Sequence, residues 1–274
     1  MAEDGLTGQR AAAHPSVPLK NYVTNPPVLA TRNLGLDIGG AKIVADVSLD
    51  VGEGELLGII GPNGAGKTTL FNLLSGLYRP TAGTIELRGR DVTRQPTFRR
   101  TREGLGRTFQ VSSVFPMLTV FENVRLAAEA ALGGTLRLWR HASSMRRAVD
   151  KADSSLARVG LEGRTLSRAG SLSHGDKRRL ELAMLLAADP HVILLDEPMA
   201  GVSAENVPEL VALIRSVHEQ EGKTVLMVEH HMEVVTGLAQ RIAVMHHGAL
   251  LACDTPAAIM ANETVQSAYL GEEL

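Results

Sequence analysis

The chain has 274 residues, a formal net charge of −2 at pH 7, 44% hydrophobic residues and 3% aromatic residues. This length suffices for one large α/β domain or a domain with a subdomain, and the scarcity of aromatic residues predicts an aliphatic core. The charge balance gives no general electrostatic reason to bind nucleic acid, the single Cys253 fits a reducing compartment, and no apolar run reaches the ~18–20 residues of a membrane helix. We therefore expect a soluble, cytosolic protein.

The first third of the chain is predicted to supply strands. Residues 1–29 carry four prolines and no apolar period, so we expect a flexible N-terminal extension there. Alternating apolar residues at 28–36 and 43–51 predict strands of an antiparallel edge sheet, and strand character resumes at 84–87.

The middle of the chain is predicted to be helical. Amphipathic patterns indicate helices at 119–132 and 143–159, separated by Gly133-Gly134, and a third helix at 175–188. Strands are then predicted at 192–196, 224–229, 242–245 and 250–253, with helices at 207–221 and 256–261. This order predicts one domain over 30–274, an α/β core with a helical insertion at about 112–188.

The most specific motif lies between a strand predicted at 55–60 and a helix predicted at 68–77. It fits the pattern G-x-x-x-x-G-K-[ST] and consists of Gly61, Pro62, Asn63, Gly64, Ala65, Gly66, Lys67, Thr68 and Thr69. Such a loop directs its backbone N–H groups at a β-phosphate, and the helix N-terminus adds positive potential. We expect Lys67 to reach the β- and γ-phosphates and the Thr68 hydroxyl to ligate Mg²⁺. A dinucleotide site is excluded because no G-x-G-x-x-G opens the helix.

Two carboxylates, Asp196 and Glu197, end the apolar strand predicted at 192–196. Asp196 suits a water-mediated contact with Mg²⁺, while Glu197, one residue later, faces differently and can hold a water against the γ-phosphate as general base. Acids at a strand end are by themselves as often solvated as functional. Together with the phosphate loop they indicate nucleotide hydrolysis.

A second anion site is predicted at 172–176, just before the helix at 175–188. This LSHGD segment offers the Ser173 hydroxyl, backbone N–H groups around Gly175 and a helix N-terminus. The phosphate loop already performs this role within its own chain. We therefore expect the second site to serve a nucleotide shared with another copy.

Two further polar residues follow predicted strands. Gln110 ends a short strand at the threshold of the helical region and could touch the metal or the attacking water. His230 follows the strand at 224–229, where a neutral imidazole can donate to a γ-phosphate oxygen. A lone Gln is usually a surface residue, so a role for Gln110 is expected only because of its position at the end of this strand.

These motifs together resemble the ATP-binding-cassette (ABC) transporter ATPases. GPNGAGKTT, Gln110, LSHGD, VILLDEP and His230 appear in that family's order and spacing, and the resemblance covers about residues 28–274. It implies a P-loop NTPase (RecA-like) α/β core with an antiparallel β edge subdomain and an α-helical insertion subdomain. It also implies ATP and Mg²⁺ as cofactors and a head-to-tail dimer with a second ATP-binding subunit, identical or different.

The resemblance assigns a role to each site residue. Lys67 and Thr68 contact phosphate and Mg²⁺, Asp196 and Gln110 contact Mg²⁺, Glu197 is the catalytic base, His230 is the switch histidine, and Ser173 and Gly175 contact the nucleotide in trans. The implied partners are transmembrane permease subunits and, indirectly, a binding protein, with no nucleic acid. The implied location is the cytoplasmic face of the cell membrane.

Finer features are similar to the ATPases of branched-chain amino acid importers, which we rank first. They are GLGRTFQ at 104–110, FPMLTVFENV at 115–124, PMAGV at 198–202, VEH at 228–230 and AYLGE at 268–272. Urea or short-amide importer ATPases share SHG in the signature and rank second, and lipopolysaccharide-export ATPases share the ending and rank third. An alternative function of a different class is a soluble ABC protein that acts on nucleic acid or ribosomes. The single cassette and the lack of excess positive charge argue against it.

Several residues depart from the family's common pattern. His174 and Asp176 replace residues of the commonest signature, LSGGQ, and an acid near the γ-phosphate is unfavourable unless its side chain points away. Ile38 stands where an adenine-stacking aromatic is usual, which predicts weak base discrimination. Ser203 replaces a common Asp, and His231 stands where an Asp often follows the switch histidine.

An arginine-rich segment at 95–107 and the region around Trp139 form the least typical surface. One interpretation is that Trp139 is buried and the arginines are solvated. The other is a docking face for a short cytoplasmic helix of the permease, since exposed aromatic and arginine residues are typical interface anchors.

Overall fold

The computed structural model describes residues 26–108, 114–133 and 141–270, so Gln110, Trp139 and residues 1–25 of the predicted extension lie outside the described residues. Strands β1 to β10 span Leu29–Ile38, Ala41–Val51, Leu56–Ile60, Ala82–Leu87, Arg90–Asp91, Leu105–Arg107, Val192–Asp196, Thr224–Val228, Arg241–His246 and Ala249–Asp254. Helices α1 to α9 span Lys67–Ser75, Thr97–Arg102, Val120–Ala131, His141–Arg158, His174–Ala187, Val207–Glu221, Met232–Leu238, Pro256–Met260 and Glu263–Leu270. Within these ranges, none of the helices combines the length and apolar character needed to cross a bilayer.

A six-stranded sheet in the order β10-β9-β3-β8-β7-β6 forms the centre of the molecule. Strands β9, β3, β8, β7 and β6 run parallel, and β10 pairs antiparallel with β9. Every residue of β3, β7 and β8 is buried, which explains their uninterrupted apolar sequences. Because parallel strands end at the same edge, the segments that follow β3, β7 and β8 lie side by side.

A second, antiparallel sheet has the order β2-β1-β4-β5. Its first two strands confirm those predicted at 28–36 and 43–51, although burial does not alternate in β1, where residues 29–31 and 34–36 are buried around irregular pairing with β2. Buried apolar residues of both strands lie in one cluster with Phe71 and Leu74 of α1 and with Leu57 and Ile59 of β3. The edge sheet therefore covers the helix that follows the phosphate loop.

Helices α3, α4 and α5 pack against one another and account for the helical middle of the chain. Helix α3 begins with a capping box, in which Thr119 accepts the Glu122 N–H and the Glu122 carboxylate accepts the Thr119 N–H. The fully buried Asn123 side chain bonds to the backbone N–H and C=O of Phe115. These bonds order the loop before α3 and explain Thr119, Glu122 and Asn123 in the FPMLTVFENV motif.

Two residues of the arginine-rich segment differ from both interpretations of it, whereas Arg99 and Arg102 are exposed as the first one expects. Residues 97–102 form α2, which the sequence did not predict, and its Arg100 is 1% exposed. The Arg100 guanidinium donates to the carbonyls of Leu73 and Leu74 at the end of α1, at 2.6 and 2.7 Å. Arg107 in β6 is also buried. The expectation of solvated or interface arginines was therefore wrong for these two, which join parts of the core.

Candidate nucleotide site

The phosphate loop, residues 61–66, connects β3 to α1, as its sequence predicts. Gly66 caps α1 with a φ of 94°, and a Cβ at this position would lie 2.9 Å from the Ile43 carbonyl oxygen. Glycine is therefore required here, both for the left-handed backbone and for the close approach of β2. Thr68 and Thr69 lie in the first turn of α1, beside the loop.

Besides β3 and α1, the turn between β9 and β10 also holds the phosphate loop in place. Gly248 donates its N–H to the Ala65 carbonyl at 3.1 Å, and its own carbonyl accepts the Ala45 N–H at 2.8 Å. A Cβ on Gly248 would lie 2.6 Å from the Ile43 carbonyl oxygen. The loop, β2 and this turn are consequently packed backbone against backbone.

Lys67 is the charged group of the loop, and it is 6% exposed. Its ammonium donates to the carbonyls of Gly61 and Pro62 at 2.6 and 2.8 Å, which uses two of its three donors. Burial lowers the pKa of Lys67, and the nearby carboxylates of Glu197 and Asp196 partly offset that effect. The ammonium is therefore held against the backbone of the loop, within electrostatic range of both acids.

Asp196 ends β7 and is fully buried. Its Oδ2 accepts a hydrogen bond from Arg107 Nη2 at 2.8 Å, while its Oδ1 has no hydrogen-bond partner among the described residues. Burial raises the pKa of Asp196, and the Arg107 guanidinium opposes that rise. A buried carboxylate oxygen without a donor suits a cation or a cation-bound water.

Glu197 and His230 form the second pair at this edge of the sheet. His230 Nε2 lies 2.8 Å from Glu197 Oε1, with the His230 side chain 44% exposed. Glu197 has a φ of 49°, a left-handed conformation that is unusual for a residue with a side chain. The two acids have different partners and exposures: Asp196 is fully buried against Arg107, whereas the Glu197 side chain is 20% exposed beside His230.

Ser173 and Gly175 stand apart from this cluster, at the start of α5. Ser173 is the N-cap and accepts the Asp176 N–H at 3.1 Å. Among the described residues, no hydrogen bond or ion pair joins either residue to the phosphate loop. The Asp176 carboxylate pairs with Arg164 at 3.1 Å, so this acid is directed toward the preceding turn. Ile38 is exposed at the end of β1.

The sheet thus brings together one part of the predicted site. The loop residues 61–69, Asp196, Glu197 and His230 meet at the carboxyl ends of β3, β7 and β8, whereas Gln110 lies outside the described residues. Sequence reasoning missed Arg107 and Glu229, which bond to site residues. A signal existed for each: an arginine inside a strand, and an acid at the end of β8 that parallels Glu197 at the end of β7.

Known proteins are similar to this chain in sequence and in fold. The ABC transporter family model matches residues 44–200, and the branched-chain amino acid ATP-binding cassette transporter model matches residues 249–274. The high-affinity branched-chain amino acid transport ATP-binding protein LivG of Salmonella typhimurium is 40% identical over 251 residues, which cover 90% of this chain and 98% of LivG. BraF of Pseudomonas aeruginosa, of the same description, is 38% identical with the same coverage. The crystal structure of an ATP-binding cassette of an ABC transporter in its ADP conformation matches with a TM-score of 0.78 at 26% identity, covering 90% of this chain and 100% of that one.

Proposed function

This chain belongs to the ABC transporter family, and we propose that it is the ATP-hydrolysing subunit that energises a membrane importer of branched-chain amino acids. The family matches confirm the predicted resemblance, the α/β P-loop fold and the ATPase class. The observation that best supports branched-chain amino acids as the transported substrates is the match of residues 249–274 to the branched-chain amino acid transporter model.

The phosphate loop and Lys67 form the proposed ATP-binding group. Loop N–H groups and the start of α1 would face the β-phosphate. The Lys67 ammonium is already held by the carbonyls of Gly61 and Pro62, and it would bind phosphate oxygens when ATP occupies the loop. Burial lowers the pKa of Lys67, and contact with phosphate would raise that pKa again, because nearby negative charge favours the protonated form.

The residues at the end of β7 fit Mg²⁺. Asp196 offers the buried Oδ1 described above, and we propose that Thr68 and Gln110 contribute further oxygen ligands. When bound with ATP, Mg²⁺ neutralises charge that develops on the phosphates. Arg107 keeps Oδ2 of Asp196 engaged and so leaves Oδ1 as the oxygen that faces a ligand.

Glu197 is the proposed general base, and His230 orients it. Glu197 would accept a proton from the water that attacks the γ-phosphate, and its bond with His230 fixes one of its oxygens. The exposed edge of His230 is available to a phosphate oxygen. This 2.8 Å contact is the observation in the site that best supports hydrolysis.

We further propose that Ser173 and Gly175 complete the site of a second ATP-binding subunit. Among the described residues no hydrogen bond joins either of them to the phosphate loop of their own chain, which agrees with a role in trans. Because Asp176 is paired with Arg164, its charge is directed away from the start of α5, which removes the expected conflict with a γ-phosphate.

The remaining proposals concern the assembly. The cassette would span residues 30–274 with its helical subdomain at about 112–188, the range that contains α3 to α5. Transmembrane permease subunits would hold it at the cytoplasmic face of the membrane, and a binding protein would deliver the cargo to the permease. These partners follow from the ABC transporter relatives.

Glu197→Gln tests the hydrolytic role. The amide cannot accept the proton, so we expect kcat to fall by about 100-fold or more while ATP affinity is retained and an ATP-dependent dimer accumulates on gel filtration. The exposed Glu219 on α6 gives the matched control, Glu219→Gln, which should hydrolyse ATP normally. Unchanged hydrolysis by Glu197→Gln would refute Glu197 as the base.

The cargo is tested by uptake in cells that lack this chain. Complementation with the wild-type chain should restore uptake of labelled leucine, and complementation with Glu197→Gln should not. Restoration of labelled urea uptake alone would overturn the branched-chain assignment in favour of the urea importer. Recovery with ribosomes and without a membrane permease after affinity purification would overturn the transport role itself.

A further inference from the structure

We propose that Glu229 is a positioning residue for ATP hydrolysis, which acts by holding Glu197 and His230 together; this role rests on the proposed function. Glu229 follows β8 and is 2% exposed, although the side chain of the next residue, His230, is 44% exposed. A carboxylate is rarely buried to this extent unless it is hydrogen-bonded. The partners of Glu229 therefore indicate what its burial accomplishes.

Both carboxylate oxygens of Glu229 accept hydrogen bonds, and they come from two different segments. Oε1 accepts the N–H of Met199, two residues after Glu197, at 2.8 Å. Oε2 accepts the N–H of His230 at 2.9 Å. One buried carboxylate thus ties the segment that follows β7 to the segment that follows β8.

The segment that carries Glu197 needs this support because of its backbone. A φ of 49° is unfavourable for a residue with a side chain, and such a conformation persists only where the surroundings enforce it. The Glu197 N–H bonds to the Val228 carbonyl at 2.9 Å, and its Oε1 lies 2.8 Å from His230 Nε2. The Met199–Glu229 bond is the third link between the segment after β7 and the segment after β8. Its loss would let the backbone around Glu197 relax and would separate Glu197 from His230.

His231 completes the surroundings of Glu229. Its Nδ1 lies 3.1 Å from Glu229 Oε2, and its side chain is 62% exposed. An imidazole with a proton on Nδ1 donates to the buried carboxylate, whereas the Asp that is common at this position in the family could not. The departure at residue 231 thereby acquires a structural reason.

Glu229→Gln tests the proposal in the full-length chain. The amide keeps the size of the side chain but replaces one of the two carboxylate oxygens with an NH2 donor, so either the Met199 or the His230 N–H loses the oxygen to which it bonds. We expect kcat with Mg-ATP to fall about 10- to 100-fold, while the Kd for ATP, measured by fluorescence titration, stays within about threefold of wild type.

Glu55→Gln provides the matched control. The Glu55 carboxylate is also largely buried, accepting the Gly52 N–H at 2.7 Å and pairing with Arg241 at 3.0 Å, but it lies at the opposite, amino end of β3. The same chemical change there should lower the thermal unfolding midpoint and leave kcat unchanged.

A wild-type kcat in Glu229→Gln would overturn the proposal. A parallel loss of kcat, ATP affinity and thermal stability would overturn it as well, because that pattern indicates a purely structural role. If Glu229→Gln does not fold, Glu229→Asp replaces it: this variant keeps the charge but is too short to reach both segments, and it must show the same loss of kcat at unchanged ATP affinity. Failure of the proposed function is distinguished by wild-type hydrolysis in Glu197→Gln.

Discussion

The buried Arg100 of α2 should contribute strongly to stability, and Arg100→Met isolates that contribution. Its guanidinium donates to four backbone carbonyls, those of Leu73, Leu74, Thr93 and Gln95, at 2.6 to 3.0 Å. Burial lowers the pKa of Arg100 to about 10, which still leaves it charged at neutral pH. Methionine retains much of the apolar stem, so the substitution removes mainly the donors.

The magnitude follows from the carbonyls that lose their donor. The Leu73 carbonyl also accepts the Gly76 N–H and so keeps a donor in the variant. The carbonyls of Leu74, Thr93 and Gln95 are the three that depend most on Arg100 for a hydrogen bond. At about 1 kcal/mol or more for each buried acceptor left unpaired, plus the lost cation at the end of α1, the free energy of unfolding should fall by about 3–5 kcal/mol. For a chain of this size this corresponds to a decrease in Tm of roughly 6–20 °C.

Urea unfolding followed by circular dichroism measures this loss. Arg102→Met is the matched control, because Arg102 is exposed on the same helix and its loss should change the free energy of unfolding by about 0.5 kcal/mol or less. A loss for Arg100→Met as small as that of Arg102→Met would refute the role of the four carbonyl bonds.

Arg107→Met should lower the free energy of unfolding by about 3–5 kcal/mol, because it leaves the fully buried Asp196 unpaired, whereas Arg32→Met, which breaks a more exposed ion pair, should cost at most about 1 kcal/mol. Burial already raises the pKa of Asp196, and loss of Arg107 raises it further, so the deficit of Arg107→Met should shrink as the pH falls below the pKa of Asp196 in the variant; a deficit that stays constant in urea titrations from neutral to acidic pH would contradict this. Cys253 should react with a thiol reagent far more slowly in the native than in the unfolded chain, since burial raises its pKa to about 11; equal labelling rates would disprove that protection.

The local parts of the fold and the site were predictable because they depend on neighbours in sequence. The strand, glycine-rich loop and helix around Lys67 form one continuous segment, and the apolar run before Asp196 suffices to identify a buried strand. The parallel arrangement then places both segments at one edge of the sheet. The positions of Lys67, Asp196 and Glu197 in the fold follow from these rules alone.

The buried charges could not be predicted in this way. Arg99, Arg100 and Arg102 share one short polar segment, yet only Arg100 reaches acceptors, and those at the end of α1 lie 26 and 27 residues earlier in the chain. Glu229 likewise depends on Met199, 30 residues away. Local composition is the same for the buried and the exposed members of such a set, and only tertiary packing separates them.

The packing of Gly248 has a practical consequence for protein engineering. Because His247 in the β9–β10 turn is exposed, this turn would ordinarily be chosen for inserting a tag, a fluorophore or a new chain terminus. Gly248 nevertheless bonds to Ala65 of the phosphate loop and leaves no room for a Cβ against Ile43. An insertion in this turn would therefore disturb the phosphate loop, which makes the turn a poor site for a tag. A small fluorophore on the exposed His247 side of the turn would instead respond to changes in the loop, such as those caused by nucleotide binding.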